Sequence, residues 1–316
     1  MAKSGVKTAI IASTTPLTPT LRRFVLRAQG WRFPVLSAGS HVLLGFGGPE
    51  RVFKNAYSIV SRKDDGSEIV IIVRRAPQSR GGSVFLHEQG REGLPVTILG
   101  TANLFPIMRR ARRHVLLSAG IGITPFLAYL ETLRAGGMDY VLHHFCRPEE
   151  REAFESLLHG QDSARVHIHD QLPEAAGLRE QLANQPITTH VYYCGPEGFM
   201  DWVAGAVRAV GYVPGKVHSE HFFVPEGGKP FVVVLARSGR TVNVGADETL
   251  LEALEAADLN PPCMCRGGAC GACAVTVLDG QPDHRDHVLT EAERTAATTI
   301  LTCVSRAKTQ TLTLDL

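Results

Sequence analysis

The sequence predicts a multidomain chain: an antiparallel β-barrel, then an open α/β domain built on a parallel sheet, then a small third domain. Three observations carry this. Short β-branched or alternating runs, separated by Gly, Pro and Asp turns, fill the first hundred residues. Strands alternate with helices from about residue 107. A Gly/Pro stretch, VPEGGKP at 224–230, then precedes a segment that crowds in five of the seven cysteines. At 316 residues the chain suits two or three domains rather than one core. The boundaries fall at 1–105, 106–224 and 225–316.

In the first module TAIIAS (8–13), LRRFVLRA (21–28), HVLLGF (41–46), NAYSIVS (55–61), EIVIIVRR (68–75) and VTILG (96–100) read as strands. Short strands at this spacing suggest an antiparallel barrel. SVFLHEQ (83–89) opens on a good cap and stops at Gly90, as a helix does. In the second module RHVLLSAG, YVLHHFC, ARVHIHD and HVYYCG read as strands, and TPFLAYLETLRAGG, PEEREAFESLLHG and PEGFMDWVAGAVRAVG as helices. That alternation implies parallel pairing through crossovers, closing with KVHSEHFF (216–223). The third module offers the strands FVVVLAR, TVNV, CAVTVLDG and TLTLDL and the helix TLLEALEAADL.

The hydrophobic fraction is 44% and the charged fraction 20%, the balance of a globular protein. A formal charge of +2, with no long basic block, argues against nucleic acid. No apolar run reaches the eighteen residues of a membrane span, and the opening run Ala9–Ala12 is too short for a signal peptide. An odd number of cysteines, clustered at one end, is not a secreted disulfide framework. A cytoplasmic, monomeric protein whose thiols hold metal is expected.

Cys265-x4-Cys270-x2-Cys273, followed after twenty-nine residues by Cys303, is the plant-type [2Fe–2S] spacing. Three thiolates come from one tight loop and the fourth from a distant strand. Gly267, Gly268 and Gly271 let the backbone curl and aim amides at the sulfurs. A structural zinc site, the competing reading, uses two C-x2–4-C pairs, whereas the distal half here supplies one cysteine. Cys263 falls outside the spacing and reads as a spare buried thiol.

A carrier of single electrons needs a supply. Gly120-x-Gly122-x-Thr124-Pro125 lies between a strand and a helix, where glycines admit a pyrophosphate and the helix start attracts its charge. Cys194, Gly195 and Pro196 follow a later strand, at the carboxyl edge where open α/β sheets bind ligands. In the barrel, Tyr57 and Ser58 are an aromatic and a hydroxyl that can cover an isoalloxazine ring, although Tyr-Ser in a strand is usually only a strand. The amides of Arg80, Gly81, Gly82 and Ser83 lead into a helix and can form an anion nest. Histidines carry less. DHRDH (283–287) lacks the Cys-x-His of a Rieske ligand set and reads as a solvated or cluster-flanking surface; His167 and His169 share a strand face with no third ligand expected nearby and read as structural, as do His143 and His144.

Taken in order, NAYS, RGGS, GIGITP, YYCGP, SEHF and the cysteine spacing resemble the phthalate dioxygenase reductase family, which includes vanillate demethylase reductase subunits, the class IA reductases of Rieske oxygenases. The resemblance spans the chain, down to DHRDHVLTEAER and the closing CVSRA and LTLDL. It implies an FMN-binding β-barrel, an NADH-binding α/β domain and a C-terminal plant-type ferredoxin (β-grasp) domain. It further implies that Tyr57 and Ser58 contact the flavin ring and Arg80, Gly81, Gly82 and Ser83 its phosphate. Gly120, Gly122, Thr124 and Pro125 would hold the dinucleotide. Cys194 and Gly195 would lie by the nicotinamide, Glu220 and Phe222 would close the flavin side, and Cys265, Cys270, Cys273 and Cys303 would bind the cluster.

The expected activity is NADH-dependent electron transfer through FMN and [2Fe–2S] to a separate Rieske-type terminal oxygenase. Ser58, Cys194 and Glu220 stand nearest the hydride chemistry, and no acid–base triad is needed. One departure stands out. The family motif is Arg-x-Tyr-Ser, and Asn55 replaces its arginine; this removes a charge-assisted phosphate contact, which Lys54 or Arg51 can restore. Other readings are the same chain feeding a P450 or other haem monooxygenase, or a ferredoxin-like carrier or redox sensor with a decayed flavin site. A phosphate nest serves FMN and FAD alike, and Arg147, after YVLHHFC, can pair with a 2′-phosphate of NADPH although the family prefers NADH.

Overall fold

Phe24, Leu26 and Ala28 are buried while Arg27 faces water, the period-two pattern of a strand with one face on a core. This and six further segments build the first sheet of the structure, a computed structural model that describes residues 6–48, 51–77, 79–222 and 226–316. The last residue of KVHSEHFF and the first two of VPEGGKP lie outside the described residues. The chain divides into two compact units after Phe222.

The first unit opens with β1 (Lys7–Pro16), β2 (Leu21–Ala28), β3 (Ser40–Gly47), β4 (Val52–Ser58), β5 (Ser61–Arg62), β6 (Glu68–Arg74), α1 (Gly82–Gln89) and β7 (Pro95–Asn103). The sheet is antiparallel in the order β4-β3-β7-β1-β2-β6-β5. The run NAYSIVS is therefore not one strand: Ile59 and Val60 turn the chain from β4, at one edge, to β5, at the other. Two edge strands joined by two residues force the sheet to curl on itself, which is the expected barrel. Phe24, Leu26, Val42, Leu44, Ile69 and Ile71 fill it, and α1 adds Leu86.

The same unit continues through β8 (Arg113–Ala119), α2 (Thr124–Ala135), β9 (Asp139–Phe145), α3 (Arg151–Leu157), β10 (Val166–His169), α4 (Ala175–Ala183), β11 (Thr189–Cys194), α5 (Glu197–Val210) and β12 (Val217–Glu220). The sheet is parallel, ordered β10-β9-β8-β11-β12. Its strands are nearly all buried because helices cover both faces. Phe105, after β7, packs with Phe126 and Tyr129 of α2, and the Tyr129 hydroxyl donates to the Phe105 carbonyl at 2.5 Å, so the barrel and the parallel sheet share a core.

The second unit holds β13 (Phe231–Leu235), β14 (Thr241–Val244), α6 (Leu250–Ala256), β15 (Ala274–Asp279), β16 (Pro282–Asp283), α7 (Glu291–Ala296), β17 (Thr299–Leu301), β18 (Arg306–Ala307) and β19 (Thr311–Leu314). Its main sheet runs β14-β13-β19-β15-β17, with β13 and β19 parallel and the other pairs antiparallel. Leu250 and Leu254 of α6 pack on Phe231, Val233, Leu312 and Leu314. One helix gripped by a mixed sheet is the β-grasp arrangement.

Histidine placement departs from the sequence reading. His143 of β9 lies against His167 and His169 of β10, with ring centroids 5.1 and 5.2 Å away, and its Nδ1 is 3.0 Å from His169 Nε2. The third imidazole comes from the neighbouring strand, in register with His167, which sequence proximity does not reveal. Burial pushes His143 and His218 down to about 4 and His144 down to about 3, with neighbouring imidazoles adding smaller contributions. Between these values and about 6.5 the unfolded chain binds more protons than the folded one. Stability is therefore full above about pH 6.5 and is lost as pH falls toward 4. The unfolding midpoint is expected to drop by about 5 °C from pH 7 to pH 5. Trp31 and Trp202, the two tryptophans, both lie in the first unit and report it by fluorescence. A flat profile refutes the histidine account.

Candidate functional site

The loop from Cys263 to Cys273 turns through left-handed conformations at Arg266 (φ 53°), Gly268 (φ 69°) and Gly271 (φ 74°). A Cβ on Gly268 would fall 2.7 Å from Val304 Cγ2, so this residue must be glycine for the loop to press against the segment that carries Cys303. The thiols of Cys273 and Cys303 are 3.2 Å apart and almost fully buried. Cys265 interacts with Cys270 and with Cys303; these contacts, in that order, hold the Cys265 thiol below its ordinary range, while Cys303 is pushed up by Cys265 and Cys273. The Gly267 amide donates to Cys265 Sγ at 3.4 Å.

All seven cysteines are free thiols. Among the described residues no three His, Cys, Asp or Glu side chains converge as ligands of a single ion. The four sulfurs instead form one connected set, Cys270 against Cys265, Cys265 against Cys303 and Cys303 against Cys273, and this soft, all-sulfur donor set fits a binuclear iron–sulfur group. Cys263 stays outside the quartet, its thiol raised to about 11 by burial.

Sequence reasoning missed what braces this loop. Arg266 makes a bidentate pair with Glu255 of α6, at 2.7 and 2.8 Å, with both side chains largely buried. Asp286 of DHRDH is 2% exposed, and the following amide, that of His287, donates to Gly268 O at 3.0 Å. Of the two readings left for this motif, flanking the cluster loop is the one the geometry supports.

In the barrel, α1 starts at Gly82 with no side-chain cap, and Gly81 precedes it at φ 106°. The Gly81 amide donates to Ser79 Oγ at 3.0 Å, and Ser83 Oγ accepts from the Ala76 amide and bonds Ser79, so these hydroxyls shape the loop. Asn55 Nδ2 donates to the Tyr57 hydroxyl at 3.0 Å, and a Cβ on Gly82 would lie 2.6 Å from that nitrogen. Burial raises the Tyr57 phenol well above its ordinary range, so it stays protonated. Ser58 is 8% exposed, and its Oγ is buried without a hydrogen-bond partner. An orphaned hydroxyl beside an aromatic, next to an uncapped helix start cradled by glycines, fits a polar ring that carries a phosphate.

At the parallel sheet, a 3₁₀ turn over Gly120–Ile123 links β8 to α2, and Thr124 Oγ1 donates to Ile121 O at 3.0 Å. Pro125 stands in the first turn of α2, where a missing N–H costs nothing. Cys194, fully buried at the end of β11, pairs in register with Ser118 and Glu220. Burial, then the Glu220 charge, pushes its thiol far above the ordinary value. A Cβ on Gly122 would lie 2.2 Å from Cys194 O, and one on Gly195 would lie 2.6 Å from Phe199. The predicted glycine turn and the Cys-Gly-Pro turn are thus in backbone contact at the carboxyl edge. Phe222, just past β12, is 40% exposed. Arg74 and Glu150 escaped the sequence reading: they pair at 2.9 Å, Glu150 almost buried, with Arg74 Nη2 beside Gly120.

The described residues superpose on the solved structure of phthalate dioxygenase reductase with a TM-score of 0.86, covering 99% of each chain at 33% identity. The chain belongs to the phthalate dioxygenase reductase family. Residues 233–308 of this reductase match the 2Fe-2S iron-sulfur cluster binding domain, which includes all four cysteines of the quartet. It is 37% identical to the carnitine monooxygenase reductase subunit of Acinetobacter baumannii, over 98% of this chain and 97% of that one. It is 41% identical to the heme-dependent oxidative N-demethylase beta subunit of Ectopseudomonas mendocina, over 97% of both. The phthalate dioxygenase and carnitine monooxygenase relatives are reductases of oxygenase systems, and this chain is an oxidoreductase of the same kind. No helix among the described residues is long and apolar enough to cross a membrane.

Proposed function

We propose that this reductase takes electrons from NADH through bound FMN and its [2Fe–2S] cluster to a Rieske-type terminal oxygenase, working as a cytoplasmic monomer. The barrel (1–105), the α/β region (106–224) and the ferredoxin region (225–316) each carry one station. The supporting observation is the cysteine quartet in a chain that also keeps, over its full length, the orphaned Ser58 hydroxyl and the Gly122–Cys194 edge. When bound, a flavin accepts a hydride as two electrons and a binuclear cluster takes them singly.

The protein's residues do the placing. Ser58 offers its unpaired hydroxyl to the ring, Tyr57 covers the ring, and the start of α1, with Arg80, Gly81, Gly82 and Ser83, receives the phosphate. The turns at Gly120–Pro125 and Cys194–Gly195 seat the dinucleotide, with Glu220 and Phe222 closing the flavin side. Cys194, kept a neutral thiol by burial, presents no negative charge to the arriving hydride. In the cluster loop, Cys265 and Cys270 are half-buried and Met264 is 43% exposed, so this side of the quartet is open to an acceptor.

Reconstitution against candidate oxygenases, with NADH and NADPH compared, tests the reading; a protein without flavin or NADH turnover defeats it. A haem oxygenase as acceptor is the second reading, favoured by the heme-dependent relative. Ser58→Ala is expected to slow flavin reduction by NADH about tenfold while FMN content holds. Stopped-flow bleaching measures this, and an unchanged rate removes Ser58 from the site.

A further inference from the structure

Asn55 leaves the phosphate nest without the arginine of the family motif, and two neighbouring cations compete for its place. We propose that Arg51 supplies the positive charge that meets the flavin phosphate, and that Asn55 is a positioning residue holding Tyr57. This rests on the flavin reading above and deepens it.

Side-chain contacts single out Arg51, which immediately precedes β4. Phe53 and Asn55, two residues apart on β4, share one face of the strand. The face of Asn55 is the one turned to α1, because its amide lies against Gly82 and the Phe53 ring lies 5.8 Å from Phe85. Arg51 extends this row toward the loop before α1. Its carbonyl accepts the Gly48 amide at 3.0 Å, which fixes its backbone at the hairpin. Its guanidinium sits over the Phe53 ring, 5.1 Å from the centroid. The site of a Cβ on Gly81 is 2.9 Å from that ring and 3.9 Å from Arg51 Nη1. Phe53 therefore acts as a platform that holds the guanidinium beside the uncapped start of α1. Arg51 remains exposed, as a cation at the rim of a phosphate site can be. Asn55 is already committed, its amide donating to Tyr57 and packed on Gly82.

FMN and riboflavin differ only in the phosphate, so they isolate this contact. Flavin is stripped from the full chain, and both are titrated by fluorescence quenching. The wild type is expected to bind FMN more tightly than riboflavin. Arg51→Ala, and Arg51→Gln, which keeps much of the stem over Phe53, should weaken FMN about tenfold and leave riboflavin within about twofold. Lys54→Ala should match the wild type, and added salt should narrow the difference between wild type and Arg51→Gln. If both Arg51 variants keep the wild-type ratio of FMN to riboflavin affinity, the assignment of Arg51 is overturned while the flavin reading stands. If the wild type binds neither flavin, or both equally, the flavin-phosphate reading falls and takes this inference with it.

Discussion

Replacing Cys303 by serine is expected to remove the cluster and reduce electron delivery to cytochrome c by about a hundredfold, while NADH-driven ferricyanide reduction, which needs only the flavin, continues. Cys303 is 1% exposed and 3.2 Å from Cys273, and it is the ligand contributed by a separate segment after β17. A serine hydroxyl is a hard, weakly acidic donor and cannot replace a thiolate on iron. The closed site also ties the loop that carries three ligands to the one that carries the fourth, so the ferredoxin region should lose thermal stability together with its iron. Cys263→Ser is the control: this thiol lies outside the quartet and its loss should leave iron content unchanged. Paramagnetic signal after dithionite, iron analysis and the two acceptor assays decide it. A Cys303→Ser protein with wild-type iron and cytochrome c reduction would show that the quartet is not the ligand set.

Gly122→Ala should raise the KM for NADH at least about tenfold and lower the unfolding midpoint by about 5 °C. The added Cβ would lie 2.2 Å from Cys194 O, 2.5 Å from Cys194 C and 2.7 Å from Gly195 N. All three are backbone atoms at the end of a central strand, so none can swing aside as a side chain would. The two turns at the carboxyl edge must separate, and the predicted dinucleotide site opens with them. Gly120→Ala is a milder test. Its φ of 53° strains an alanine, but the nearest atom to the new Cβ is Arg74 Nη2, at 3.5 Å. A Gly122→Ala protein whose KM stays within twofold and whose midpoint stays within about a degree would mean that the close approach is not needed.

Elements without a strong local pattern were hard to read. In α4 only Leu178 and Leu182 are buried and Gly177 interrupts the helix, so its periodicity is weak. The helix α7 buries nothing and is held by the capping box of Thr290 and Glu293. Alternating or amphipathic segments such as β2 and α5 declared themselves, because each buries a face that its own spacing defines.

The order of barrel, parallel sheet and ferredoxin region was written along the chain, and so were the four cysteines, whose spacing is itself the ligand signal. The glycines at 81, 82, 120, 122 and 268 were visible too, since a tight turn leaves its mark within a few residues. What only the tertiary structure decided were the partners across the chain. Arg51 lies beside Gly81, Glu150 rather than solvent meets Arg74, Glu255 braces Arg266, and His143 joins His167 and His169. Such pairings depend on strand face, register and packing between segments far apart in sequence, and side-chain type alone does not specify them.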